Sequence, residues 1–573
     1  MPIPPQVANS NQSFTKILLY KLLPIILIIV LAYPGLRDLM KPGHFTSHDG
    51  EGHVIRMQEF YRAFKDGQFP VRWSQRLYYG YGYPFFNFNY PSVYYLGLPT
   101  MLLGGSATLA MEVEFGATFV LSGILMYLYL KRKISTPFAF LGGVLYMYAP
   151  YRLLNIYVRG SVAESATFIF APLILWTVEA IAHKKKFSIP LGALMIGFLG
   201  ISHNIAALLL FAFYWGYSLL FSISKKSIKA LWRFGLTFGF GLMLAAFFLV
   251  PALTEKSLTF LDTTIAKDYP DHFIDPVQLV NSGWDYGASI KGPDDGLSFN
   301  LGWVHLGLAI LSIFIMIMTV RNLKNKKLKL TFFYNLFVLL MSLFFMFKIS
   351  LPLWDNLPLL PFVQFSWRFI MLAVPTMSIM AVIGLHLIGK EFKWSSWVKV
   401  SITTILIGLT LFFARDKWYL NQPLFWENPV GQSIPGSTTW AHEQATQWFT
   451  PKPTEIPGQR VETLADEGEA TINLWKTHLH HYQVKVSQPT TVIEHTMYYP
   501  GWQVWIDGQQ ATIDYQHEQH PGKIVFQVPA GSHEVITKMT ETPIRKAVDI
   551  ISVLTLAGML GWIGYLIIFD KKD

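Results

Sequence analysis

The chain contains no cysteine, which excludes disulfides, thiolate metal ligands and a cysteine nucleophile together. Charge is scarce as well: only 14% of the 573 residues are Asp, Glu, Lys or Arg, against 52% hydrophobic and 16% aromatic residues. That balance excludes an ordinary soluble protein and predicts a polytopic membrane protein. No early segment joins a charged start, a short apolar core and a small-residue cleavage site, so Ile17 to Ala32 is expected to be a retained first span. Internal repeats and long low-complexity segments are absent too. The net charge of +10 does not imply nucleic acid, because the basic residues cluster between apolar segments, where they set membrane orientation.

What is present is a succession of apolar runs. Those near 17–33, 111–130, 160–182, 231–252, 301–320, 331–347, 365–388, 398–414 and 547–568 are long enough to cross hydrocarbon, with shorter ones near 91–106, 136–150, 188–203 and 205–222. The basic connections "KRK" (131–133), "HKKK" (183–186), "KKSIK" (225–229), "RNLKNKKLK" (321–329), "GKEFKW" (389–394) and the final "KKD" are expected in the cytoplasm. Segments 34–90, 253–300 and 415–546 then fall outside, with the short connections around Arg159, His203 and Gln364. Three hydrophobic stretches separate Tyr90 from "YVRGSVAES" (157–165), one too many for this topology, so the short 91–106 stretch is expected to be re-entrant or broken. The expectation is a polytopic α-helical protein of about twelve spans.

Residues 1–414 would form the multi-span domain, 415–546 an external β-rich domain, and 547–573 a last span with a cytoplasmic tail. In 415–546 polar alternation replaces apolar runs. "WQVWIDGQQATID" (502–514) carries two alternating runs about Asp507-Gly508, a two-residue hairpin signal. "KIVFQVPAGSHEVITKM" (523–539) repeats the design around Pro-Ala-Gly. With "HYQVKVS" and "TTVIEHTMYY" these runs predict a small β-sandwich.

Polar chemistry gathers at the predicted outer edges. In "FTSHDGEGHVIRMQEF" (45–60), Asp49, His53 and Arg56 are spaced i, i+4, i+7 and would project from one helix face. The same stretch fits a capping box, in which Asp49 merely closes a helix. The aromatic, Gly- and Pro-rich stretch 66–95 follows, a surface suited to lipid or sugar, or to an interfacial belt. Arg159 and Glu164, His203 and Asn204, Glu255, and Gln364, Trp367 and Arg368 occupy four further edges. Ionisable groups at membrane depth are costly and are functional candidates by default, although arginines snorkel and Arg159 and Glu164 can simply pair. The loop 281–306 is a candidate gate or an ordered connector. "YYPGWQVWIDG" (498–508) suits an acceptor platform but fits a β core better.

A site of carboxylates, a histidine and several arginines suits an anionic substrate with a hydroxyl to activate. Arginines neutralise a lipid phosphate through directed hydrogen bonds. A carboxylate takes the proton of an acceptor hydroxyl as a sugar carbon is attacked. The expected chemistry is therefore glycosyl transfer from a lipid-phosphate donor, with Asp49 as base. A divalent metal on Asp49, Glu164 or Glu255 is compatible with this, but no D-x-D or H-E-x-x-H spacing marks one.

"SHDGEGHVIR", "GQFPVRW", "GYGYPFFNF", "VRGSVAE", "SHN", "FFLVPALTE", "LSFNLGWVHL", "QFSWRF" and "YYPGWQVWIDG", in that order from about Leu19 to Phe569, resemble bacterial multi-pass proteins labelled 6-pyruvoyl-tetrahydropterin synthase-related. These are regarded as glycosyltransferases of the GT-C class. The resemblance implies a polyprenyl-phosphate-sugar donor, an active site at the outer face of the plasma membrane, a cell-envelope glycan or protein acceptor, and an acidic residue in the first external loop, here Asp49. Most of the class carry paired acids in that loop; here "HDGE" places Asp49 and Glu51 two apart, so they would diverge on a helix. On this view Asp49, His53 and Arg56 carry the chemistry, Arg159, His203 and Arg368 bind the donor phosphate, and Glu164, Asn204, Glu255, Gln364 and Trp367 are secondary. The alternatives are a transporter or flippase of lipid-linked sugars, which needs polar residues through the mid-membrane, and a non-catalytic envelope assembly protein.

Overall fold

The computed structural model describes residues 8–43, 45–261, 269–419, 436, 438–439, 441–464 and 468–569. The terminal Lys571-Lys572-Asp573 cluster, expected in the cytoplasm, and residues 262–268 and 420–435 of the expected external segments lie outside the described residues.

The first part of the chain runs through α1 (Ala8–Leu36), α2 (Gly50–Lys65), the single turn α3 (Phe85–Phe88), α4 (Ser92–Leu102), α5 (Ala107–Lys131), α6 (Thr136–Met147), α7 (Pro150–Tyr157), α8 (Val162–Thr167) and α9 (Phe170–Ala182). It continues through α10 (Ser188–Gly200), α11 (Asn204–Lys225), α12 (Ile228–Thr254), α13 (Trp303–Thr319), α14 (Lys326–Met346), α15 (Leu351–Asn356), α16 (Ile370–Glu391) and α17 (Ser396–Ala414). After the β region, α18 (Pro543–Phe569) closes the described chain. The protein is thus a polytopic α-helical membrane protein with a C-terminal β region.

The expected twelve spans are not reproduced. Among the described residues, 8 helices are long and apolar enough to cross a membrane, and Leu22–Leu36, Ser188–Gly200 and Trp303–Thr319 are shorter apolar helices. The 91–106 stretch is only the 11-residue α4, about 16 Å long at the α-helical rise and too short to cross. The 136–150 stretch gives a 12-residue α6. It stops because Ala149, preceding Pro150, is pushed out of the helical region to ψ 135, and Pro150 then opens α7 at its first turn.

Helix α16 is buried along nearly its whole length and packs against α6, α13 and α14. By contrast α18 leaves Ile550, Val553, Leu554 and Leu560 exposed, as a helix facing hydrocarbon does.

The β region holds β1 (Val461–Thr463), β2 (Glu469–Trp475), β3 (Leu479–Val486), β4 (Thr490–Met497), β5 (Trp502–Ile506), β6 (Gln509–Ala511), β7 (Lys523–Val528) and β8 (Gly531–Met539). Two antiparallel sheets form, ordered β1-β4-β7 and β2-β3-β8-β5-β6. Alternate residues point inward, so Tyr482, Val484, Val504 and Val535 of one sheet and Val492, Ile524 and Phe526 of the other are buried. The β5–β6 turn has Asp507 at φ 49 and Gly508 at φ 80, both left-handed as a type I′ hairpin requires. The second expected hairpin does not form. Pro529-Ala530-Gly531 instead carries the chain from β7 to β8 in the other sheet, where β8 is needed between β3 and β5.

Candidate functional site: an arginine cluster around Tyr90

The first loop is docked by its backbone. The amides of His48 and Asp49 donate to the carbonyls of Val158 (3.0 Å) and Arg159 (2.8 Å). This close approach explains Gly160: at φ 61, a Cβ there would lie 2.3 Å from Ser47 Oγ and 2.7 Å from the Gly50 amide. Asp49 occupies the N-cap position of α2 but its carboxylate makes no capping hydrogen bond. The Gly50 amide donates to Ser47 Oγ instead (3.2 Å), so the capping-box explanation of Asp49 fails. Its side chain is exposed and acts electrostatically on Arg56, Arg159 and Arg368.

From the same helix, His53 and Arg56 turn inward. His53 Nδ1 is 3.2 Å from the Tyr94 hydroxyl. Arg56 lies 4.8 Å over the Phe85 ring and donates to Thr438 through Nε to Oγ1 (2.9 Å) and NH2 to the carbonyl (2.6 Å). Burial alone would push the Arg56 guanidinium down; Tyr94, Tyr90 and the Asp49 carboxylate outweigh it and hold the group above its ordinary range. Tyr90 is the hub. Its ring stacks on His203 at 4.9 Å and tilts against His53 at 6.3 Å. Burial pushes its phenol up to about 12, against the pull of Arg56, Arg368 and Arg159.

The opposite wall comes from α7, α8 and the turn Ser366–Phe369. Glu164 accepts from Arg159 NH1 (2.7 Å) and the Tyr151 hydroxyl (2.6 Å), with Asn155 Nδ2 at 3.3 Å. Its two oxygens are therefore committed. The Trp367 ring takes Arg159 at 4.7 Å and Arg368 at 5.7 Å. Arg368 NH1 donates to the Val363 carbonyl and to Gln364 Oε1, both at 2.8 Å. Arg368 Nε and Trp367 Nε1 are buried without a hydrogen-bond partner among the described residues. His203 caps α11, its Nδ1 accepting from the Ala206 amide at 3.1 Å; a neutral ring must then carry its proton on Nε2, leaving a donor there.

Three charged arginines thus converge on one committed carboxylate and one exposed carboxylate, with Arg368 Nε, Trp367 Nε1 and His203 Nε2 left as donors. Such an arrangement can bind an anion with directed hydrogen bonds.

Two predicted residues are elsewhere. Glu255 is held by Arg545 Nε (2.9 Å) and NH2 (2.7 Å), the Tyr499 hydroxyl (2.6 Å) and Asn87 Nδ2 (2.8 Å), a clasp joining α12, α18 and the β region. Asn204 is exposed and ties the Phe88 carbonyl at 3.2 Å. Asp49, Glu164 and Glu255 therefore share no cation site, and no group of three or more His, Asp or Glu suited to a metal occurs among the described residues.

Sequence patterning does not single out Tyr90, Tyr94, Tyr151, Asn155 or Glu114. Tyr90 and Tyr94 at least belong to the aromatic stretch 66–95. Glu114 on α5 is 5% exposed and neither carboxylate oxygen has a hydrogen-bond partner among the described residues; its Oε1 sits against Gly97 of α4, beside Met57.

The model of a membrane-protein family, the 6-pyruvoyl-tetrahydropterin synthase related domain, matches residues 86–418. The chain belongs to this family. The family domain contains Tyr90, Arg159, Glu164, His203 and Arg368, whereas α2 with His53 and Arg56 precedes it and the β strands follow it. No curated protein matches the chain. A structure of the arabinofuranosyltransferase AftD from Mycobacteria superposes with TM-score 0.43 and 13% identity over 69% of this chain and 26% of AftD. A mutant of AftD gives 0.40 and 12% over 69% and 27%. The family member described here thus spans about a quarter of AftD, and an overlap this limited assigns it no activity.

Proposed function

We propose that this protein is a membrane glycosyltransferase. It moves a sugar from a polyprenyl-phosphate-linked donor to a cell-envelope acceptor at the outer face of the plasma membrane. The observation that carries this reading is the surplus of guanidinium over carboxylate at one place, beside an exposed carboxylate.

Arg159 and Arg368, stacked on Trp367, bind the donor phosphate, with Arg56 completing the positive wall and His203 Nε2 donating to a phosphate oxygen. Glu164 orients Arg159, and Gln364 orients Arg368. Asp49 accepts the proton of the acceptor hydroxyl while that oxygen bonds the anomeric carbon. The carbon–oxygen bond to the phosphate breaks, and its electron pair leaves on the phosphate, where the arginines stabilise it. His53 acts on this geometry through Tyr94 rather than on substrate.

The test is to give the purified full-length protein in lipid vesicles a polyprenyl-phosphate sugar with envelope-derived glycan. Transfer of sugar onto the glycan, with release of polyprenyl phosphate, is the expected result. Donor that crosses the bilayer intact, with no transfer, would establish a flippase instead.

A further inference from the structure

We infer that a second amphiphile site lies on the other side of α4 from the arginine cluster and takes an uncharged glycolipid. The inference is independent of the transfer reading. Tyr94 faces His53, whereas its neighbour Tyr95 lines an apolar groove of about 460 Å³ walled by Phe198, Leu244, Phe247 and Leu556 of α10, α12 and α18. Val553 lines the same groove and is 61% exposed on the apolar face of α18, so the groove opens toward hydrocarbon.

Where α18 meets the β region, a second space of about 540 Å³ is polar, lined by Gln503, Gln510, Thr512 and Glu541 beside Tyr498. The Tyr498 ring stacks on Tyr515 at 4.3 Å, a wall suited to a sugar face. The side-chain amides of Gln503 and Gln510 and the hydroxyl of Thr512 make no hydrogen bond to protein among the described residues, and Gln510 and Thr512 are exposed. One side chain joins the two spaces. Arg72 donates through Nε to both oxygens of Glu541 (3.0 Å each), which lines the polar cleft, and through NH2 to Asp549 (2.7 Å), which lines the groove. From Pro543 at the cleft to Leu556 in the groove, α18 advances about 20 Å, the length of a lipid chain.

Charge decides the head group. Arg72 and Arg545 together face three carboxylates, Glu541, Asp549 and Glu255, so this junction keeps a surplus of negative charge and would repel a phosphate, the reverse of the arginine cluster. Free amides and hydroxyls instead match the alternating donors and acceptors of sugar hydroxyls. The ligand is therefore a membrane glycolipid with hydrocarbon chains in the groove and an unphosphorylated sugar in the cleft.

The full-length protein in nanodiscs should be labelled by a photoreactive diacylglycerol monoglucoside on peptides of α10, α12 or α18. Unlabelled diacylglycerol monoglucoside should compete, and phosphatidylglycerol of the same chain length should not. Val553→Trp, filling the groove mouth, should lower labelling about tenfold, equivalent to ~1.4 kcal/mol, at an unchanged unfolding temperature. Gln503→Ala with Gln510→Ala should weaken glucoside labelling while sparing a photoreactive diacylglycerol without sugar. Equal competition by phosphatidylglycerol, meaning bulk-lipid contact only, would overturn the inference. So would glucoside labelling unaffected by either variant.

Discussion

Two buried clusters in this molecule are made of the same materials, arginine, carboxylate and tyrosine, yet differ in how far their hydrogen bonds are used up. Around Glu255 the carboxylate takes Arg545, Tyr499 and Asn87, and Arg545 NH1 also reaches the Pro500 carbonyl. Around Tyr90, Arg56, Arg159 and Arg368 outnumber the partnered Glu164, and Arg368 Nε and Trp367 Nε1 have no partner among the described residues. Buried polar groups are normally satisfied. A satisfied cluster holds parts of a fold together, and an unsatisfied one with surplus charge keeps donors with which a ligand can be bound.

Stability separates the two most sharply. Glu255→Ala leaves the fully buried Arg545 unpaired and should cost about 3–5 kcal/mol, read as a lower unfolding temperature and freer proteolysis between the β region and α18. Unchanged stability would remove the distinction between the clusters. Next, Arg368→Lys keeps the charge but loses the planar fork. It should weaken binding of a polyprenyl phosphate by about tenfold or more, because a charged hydrogen bond is worth ~1.5–3 kcal/mol, while leaving the unfolding temperature in place. A change in stability alone would make Arg368 another clasp.

Smaller still is Glu114→Gln. Neither oxygen of the Glu114 carboxyl has a hydrogen-bond partner among the described residues, so the near-isosteric amide should shift stability by no more than about 1 kcal/mol; a larger loss would mean that the carboxyl holds the helices together. The smallest effect lies far from both clusters. The hydrogen bond between His533 and Asp507, 2.6 Å, raises the imidazole above its ordinary value and lowers the carboxyl. The raised His contributes stability below its ordinary value of 6.5, lost as pH rises through its folded value; the lowered Asp contributes above 3.8, lost as pH falls through its own. The unfolding temperature of wild type should therefore fall slightly as pH rises above 6.5, and His533→Gln should remove that slope.

Local features were the legible ones. The Asp507-Gly508 hairpin needs only two left-handed residues between alternating runs, and the apolar runs announce helices by themselves. Arg159, His203 and Arg368 were identifiable because charge at a membrane edge is rare. What sequence could not reveal is pairing at long range. Glu255 resembles its neighbours until Arg545, 290 residues away, is seen to occupy it. The same limit hid Tyr90, whose importance comes from touching His53 and His203 at once. It also misjudged β7 and β8, whose connection resembles a hairpin although the strands belong to different sheets.

Asp49 stands exposed at the arginine cluster, its carboxylate capping no helix and held by no side chain among the described residues. The most direct measurement compares sugar transfer by wild-type protein and Asp49→Asn in the same vesicles, together with polyprenyl-phosphate binding and unfolding temperature. Loss of transfer by about 10²–10⁴, with binding and unfolding unchanged, is the predicted result. Wild-type transfer by a folded Asp49→Asn protein would show that Asp49 is not the base.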